Sequence, residues 1–156
     1  SEKQLIEWGT IPSSLIKIFK ECDVIYVLAS ITTKNQNMID YKLLNLMKKN
    51  ACLLILSRAS VINFDDLIKA IRKKNIKVAT DVFPEEPVKK NDPIRKEKNI
   101  LLSAHRAGAL TEVFYEMGEI VFEDLQLISR GLPPRLCRRA ELETVRSLRS
   151  KPVDVN

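Results

Sequence analysis

Ala51-Cys-Leu-Leu-Ile-Leu-Ser-Arg58 is an unbroken apolar run that ends in a hydroxyl and a guanidinium. Its lack of polar alternation predicts a strand that is apolar on both faces, as in parallel sheets. Three other runs read the same way: Asp23 to Leu28, Ile76 to Val82, and Ile100 to Leu102. Helix-like stretches separate them. Leu15 to Glu21 is amphipathic, Asp40 can cap a helix through Met47, and Asn63 can cap one with Leu67, Ile68 and Ile71 on its inner side. Pro84 and Pro87 stop the third strand, and Val88 to Lys98 is a charged, proline-broken exposed loop. Thr111 through Ser129 reads as a long helix whose apolar stripe holds Val113, Met117, Ile120, Val121, Leu125 and Ile128. Gly131 ends it, with Pro133 and Pro134 beyond. Strands alternating with helices predict an α/β fold, a parallel sheet covered on both sides.

Composition narrows the function classes. With 45% apolar and 29% charged residues, the chain has the balance of a soluble globular protein. No apolar stretch approaches the roughly 20 residues of a membrane span, and no signal-peptide core is present. Cys22, Cys52 and Cys137 have no metal spacing, which predicts reduced thiols, a cytoplasmic location and no metal site. From Arg130 onward seven basic residues face three acidic ones, so the net charge of +6 is concentrated in the tail. That tail lacks the aromatics that stack bases, and a solvated tail or docking surface is the expectation, not nucleic-acid binding.

Chain connectivity puts Ala29–Ser30, Ser57–Arg58, Asp81 to Glu86 and His105 at C-terminal strand ends, hence on one rim of the sheet, where open α/β folds bind ligands. Arg58 offers a planar fork for a carboxylate. His105, the sole histidine, can move a proton near neutral pH, and Glu86 can fix its tautomer. Asp81 offers an acceptor for an amide NH₂. Clamping a carboxylate and protonating an adjacent oxygen suits a 2-oxo or 2-hydroxy acid, with a cofactor moving the hydride. Singly, each residue is more often a surface charge or a structural histidine; the ordered set carries the reading.

That ordered set resembles the C-terminal part of the D-isomer-specific 2-hydroxyacid dehydrogenases, the family of D-3-phosphoglycerate dehydrogenase and hydroxypyruvate reductase. The matching segments are 23–28 with Ile31-Thr32, Met47-Lys48, Ala51 to Arg58, Asp81-Val-Phe-Pro-Glu-Glu-Pro87 and His105 to Gly108, within a similarity spanning residues 10–134. The resemblance implies catalytic roles for Arg58, Glu86 and His105. It also implies a dinucleotide lined by Ala29, Leu56, Ser57, Arg58, Asp81, His105 and Gly108, with Asp81 on the nicotinamide carboxamide. The implied cofactor is NAD, with NADP left open; the implied partner is a small 2-hydroxy or 2-oxo acid, and the full-length protein is expected to be a homodimer. Departures are Ala59 for a glycine, which would strain the turn if φ there is positive, Ile55 for an asparagine near the crevice, Ala104 and Ser30 for prolines, and Asn63 for an acid at a helix cap.

No G-x-G-x-x-G occurs; the glycines are Gly9, Gly108, Gly118 and Gly131. The expected organisation is therefore the second half of a Rossmann-type doubly wound sheet. Residues 1–108 form a partial NAD(P)-binding domain without its glycine-rich start. Residues 109–134 form a helix returning to a substrate domain, and 135–156 a basic tail. Such a chain would be inactive alone, with the first strand as an open apolar edge. The alternative is a non-catalytic module of the same fold that senses dinucleotide and binds partners.

Overall fold

A computed structural model of the chain describes residues 6–32 and 34–137, so nearly all of the expected basic tail lies outside the described residues. Four short strands form one sheet: β1 (Val24–Val27), β2 (Cys52–Ile55), β3 (Lys77–Thr80) and β4 (Ile100–Leu102), in that spatial order and all parallel. Val27, Ile55, Thr80 and Leu102 lie side by side in register, so the four chains leave the sheet along one line. Each strand is shorter than or equal to its apolar run, because the ends of the runs already turn into loops.

The helices are α1 (Leu15–Glu21), α2 (Tyr41–Leu44), α3 (Phe64–Lys74) and α4 (Thr111–Ser129). Side-chain oxygens start the first three: Ser14 accepts from the Lys17 N–H, Asp40 from Leu43 and Asn63 from Asp66. Asp66 also accepts the Tyr41 N–H at 3.1 Å and thereby ties α3 to α2. The helix expected to run from Asp40 through Met47 stops at Leu44. Its last turn tightens into i→i−3 bonds, from Leu46 to Leu43 and from Met47 to Leu44. The stretch 88–98 is not wholly loop: Asp92 caps a 3₁₀ turn over Pro93–Lys96 that buries Ile94, and Arg72 pairs with Glu97 at 2.7 Å.

Phe19 of α1, Leu44 of α2 and Leu67, Ala70 and Ile71 of α3 pack on Ile25, Val27, Leu53, Ile55 and Val78. This is one face of the sheet. The expectation of cover on both sides does not hold among the described residues. Val24, Tyr26 and Leu28 are 51%, 60% and 67% exposed, as is Leu101 at 67% on β4. β1 is accordingly an open apolar edge strand. The stripe on α4 is also exposed, from Met117 through Ile128, because no described element packs against it.

Two local devices complete the fold. At the lower rim, Asn50, Asn75 and Asn99 stand just before β2, β3 and β4 and join amide to amide, at 2.9 and 2.7 Å. Asn50 and Asn75 hold left-handed φ of 64° and 55° there, which asparagine tolerates better than most residues. At the end of α4, Gly131 (φ 74°) closes a Schellman turn, its N–H donating to Ile128 and that of Leu132 to Leu127. The chain then folds back so that the N–H groups of Arg135, Leu136 and Cys137 donate to Asp124. Those bonds, led by Arg135 and Cys137, hold the Asp124 carboxyl down at about 2, and that carboxylate in turn raises the Cys137 thiol.

Leu53, with no exposed surface in the central strand β2, is expected to cost roughly 2–5 kcal/mol as Leu53→Ala, read from urea unfolding. Asp124→Asn is expected to speed the reaction of Cys137 with a thiol reagent at neutral pH, followed by peptide mapping. Removing the carboxylate releases the thiol toward its ordinary value, and more thiolate forms.

Candidate active site

Parallel pairing delivers the C-terminal ends of β2, β3 and β4 to one rim, and a cleft of about 710 Å³ opens there. Arg58, Glu86 and His105 all line it. They reach it from three separate segments: the turn after β2, the loop after β3 and the turn after β4.

Glu86 is held at both oxygens. One accepts the Phe83 N–H at 2.9 Å, and the other meets His105 Nδ1 at 2.7 Å. A carboxylate only accepts, so Nδ1 carries the hydrogen and Nε2 is the ring nitrogen left for a ligand. Burial opposes ionisation of Glu86, but the bond to His105, the Phe83 N–H and the charge of His105 outweigh it. The Glu86 carboxyl therefore lies below its usual value.

Asp81 lies directly beneath. It is 2% exposed, and its two oxygens accept the N–H groups of Arg106 at 2.9 Å and Ala107 at 2.8 Å. Burial opposes its ionisation too, and is outweighed by the Ser103 hydroxyl, these two backbone bonds and the charge of His105. His105 itself holds a φ of 54°. Arg58 donates from Nη1 to its own neighbour, the Ser57 carbonyl, at 2.8 Å, which turns the guanidinium back over the rim. The Ser57 hydroxyl is buried and has no hydrogen-bond partner among the described residues.

The structure therefore brings together the three residues expected to act chemically. Ala29, Leu56 and Ser57, just past the ends of β1 and β2, and Gly108, in the turn before α4, lie outside the lining of this cleft. The concern over Ala59 resolves: it begins the 3₁₀ turn Ala59–Val61 and is not among the positive-φ residues, so it carries no strain. Ile55 is fully buried in the core, so its side chain faces away from the crevice.

Sequence reasoning missed part of the cleft lining, to which Asn37, Asn63, Asp65 and Phe83 contribute. An isolated parallel bridge, Ile39 to Ile62, and the Asn37 N–H donating to Ser60 draw the loop before α2 against the turn after β2. Only the asparagine-rich composition of 35–37 hinted at a left-handed turn there; Asn37 has φ 53°.

Both carboxyls are held below their ordinary values of 3.8 and 4.5, so they stabilise the fold fully above about pH 4.5. That contribution is lost as pH falls through their folded values. Glu86→Gln and Asp81→Asn should each make the acid limb of the stability curve shallower below pH 4.5, as followed by circular dichroism.

Residues 2–107 match the family described as D-isomer specific 2-hydroxyacid dehydrogenase, NAD binding domain. The glyoxylate reductase of Aeropyrum pernix is 33% identical over 135 residues, 85% of this chain, and that of Thermococcus litoralis 37% over 124, 78% of this chain. Among solved structures, a phosphoglycerate oxidoreductase from Rhizobium etli superposes with a TM-score of 0.81 at 40% identity, covering 90% of this chain. The chain spans only 40%, 37% and 43% of these three proteins' lengths. With the family matched over more than half of the chain, and the rim residues in the arrangement described, this chain belongs to the D-isomer-specific 2-hydroxyacid dehydrogenases, within their NAD-binding domain.

Proposed function

We propose that this chain is the catalytic C-terminal portion of a nicotinamide-dependent oxidoreductase that interconverts a short D-2-hydroxy acid and its 2-oxo acid. The observation that carries the reading is the joint lining of one cleft by the Arg58 guanidinium and the Glu86-anchored His105 ring. Glyoxylate, hydroxypyruvate and phosphoglycerate are the substrate class in view, since similar proteins are glyoxylate reductases and a phosphoglycerate oxidoreductase. A homodimer of the longer protein is part of the same reading.

Arg58 would receive the substrate carboxylate through two parallel N–H bonds and draw electron density from the adjacent oxo group. The Nε2 of His105 would then give its proton to the oxo oxygen as the carbon is reduced, and recover it in the reverse direction. Glu86 keeps the ring oriented through Nδ1 and leaves Nε2 as the nitrogen that meets the substrate oxygen. The residues present suit a nicotinamide over this rim: the unpartnered Ser57 hydroxyl is a buried polar group suited to a ligand partner. Ala29, Leu56, Ser57, Arg58, Asp81, His105 and Gly108 would line that cofactor, NAD or NADP, which supplies or accepts the hydride. The sequence contains no glycine-rich turn to hold a pyrophosphate. Residues 1–108 therefore act as half of a nucleotide site, and 109–134 as the helix leading away from it.

The test is to join this chain to a glycine-rich nucleotide half and a substrate domain from a similar protein, and to follow cofactor absorbance with glyoxylate, hydroxypyruvate and the 2-oxo acid that corresponds to phosphoglycerate. Cofactor-dependent reduction is expected, and its absence with all three acids would sink the proposal. His105→Ala should lower kcat by roughly 10²–10⁴-fold. Arg58→Lys, which keeps the charge but loses the fork, should lower kcat/KM by about ten- to a hundredfold, the value of a hydrogen bond to a charged group. The 156-residue chain alone should bind NADH more weakly than micromolar in a fluorescence titration.

A further inference from the structure

His105 stands in a backbone conformation that is uncommon for any residue with a Cβ. Its φ of 54° lies in the left-handed region, where a side chain with a Cβ is crowded. The surrounding chain must therefore hold it there. On the upstream side, the Ser103 N–H donates to the Thr80 carbonyl at 2.9 Å, extending the β3–β4 pairing by one residue. On the downstream side, no strand or helix begins until Thr111. The Ala109 N–H closes a turn on the Arg106 carbonyl at 3.0 Å, and the Asp81 carboxylate ties that turn to the end of β3, with one oxygen on each of the 106 and 107 N–H groups.

We propose that Asp81 is a positioning residue for His105: by gripping the two backbone N–H groups that follow the histidine, it locks the turn that aims the ring at Glu86 and into the cleft. Asp81 does this without entering the cleft, whose lining it does not join, and while 2% exposed. A carboxylate offers about four acceptor positions. Arg106, Ala107 and the Ser103 hydroxyl engage three of them, so a contact to a nicotinamide carboxamide would use what remains. The end of β3 thereby supplies both constraints on one imidazole: Asp81 on its backbone and, five residues later, Glu86 on its ring. The functional weight of this arrangement rests on His105 being the proton carrier proposed above, but its geometry can be tested without turnover.

His105 is the chain's only histidine, so its ring signals in a nitrogen-labelled sample of the 156-residue chain need no assignment. In the native chain a downfield Nδ1 proton and slowly exchanging amides at Arg106 and Ala107 are expected. Glu86→Ala should lose the ring proton and keep both protected amides. Asp81→Asn should lose all three, because an amide cannot accept both N–H groups. A ring proton that survives in Asp81→Asn would overturn the proposal, as would loss of the 106 and 107 amide protection in Glu86→Ala. Should Asp81→Asn fail to fold, the native chain still decides: the two amide signals must shift together with the ionisation of Asp81, and amides that stay constant through it refute the grip. Failed catalysis in the joined enzyme with these signals intact would count against the proposed function alone.

Discussion

Parallel hydrogen bonding between β2 and its two neighbours is the constraint from which the rest of the molecule follows. In a parallel pair the chain must return to its starting side through a crossover, so every strand in this sheet exits at the same rim. The side chains that matter for chemistry are separated by dozens of residues, yet they converge because Ile55, Thr80 and Leu102 are aligned in register. The fully buried Leu53 and Ile55 secure that register, since a slip by one residue would turn both toward the bare face. The geometry of the candidate site depends on the core packing just below the rim.

The uncovered face shows how a sequence can encode more contacts than its own fold satisfies. Val24 and Tyr26 on β1 and the apolar side of α4 are chosen as if for burial, and both face outward among the described residues. The apolar surface is arranged as an edge strand and a bare sheet face on one side of the domain, and a separate helix. That pattern is consistent with a chain that spans well under half the length of its relatives.

The alternation of apolar runs with helical spacing was enough to read the α/β class, the strands β1 to β4 and the helices α1 to α4, because parallel strands leave an unusually plain signature. The triad of Arg58, Glu86 and His105 was legible for the same reason: each sits at the end of a run whose direction was known. What remained hidden was set by contacts between distant segments. The polar lining around Asn37 depends on the bridge from Ile39 to Ile62, which no local pattern announces. Asp124 drew no reading, because its partners arrive 11 to 13 residues later, after the Gly131 turn. Asp81 was noticed for its place on the rim, but its hold on the backbone could not be seen before its neighbours' N–H groups were placed.

The asparagine ladder at the lower rim bears on how such a sequence can change over generations. Asn50, Asn75 and Asn99 meet only because the intervening chain lengths bring three amides to the same height, at separations of 25 and 24 residues. An insertion or deletion in a turn leading into a strand would lift one amide out of line and disturb two links if it struck the middle one. The opposite rim carries a second metric, since Asp81 must meet Arg106 and Ala107, and Glu86 must meet His105, across loops of fixed length. Length variation in descendants of this sequence would thus be steered away from both ends of the strands, leaving the lower rim as the gauge against which the sheet is built.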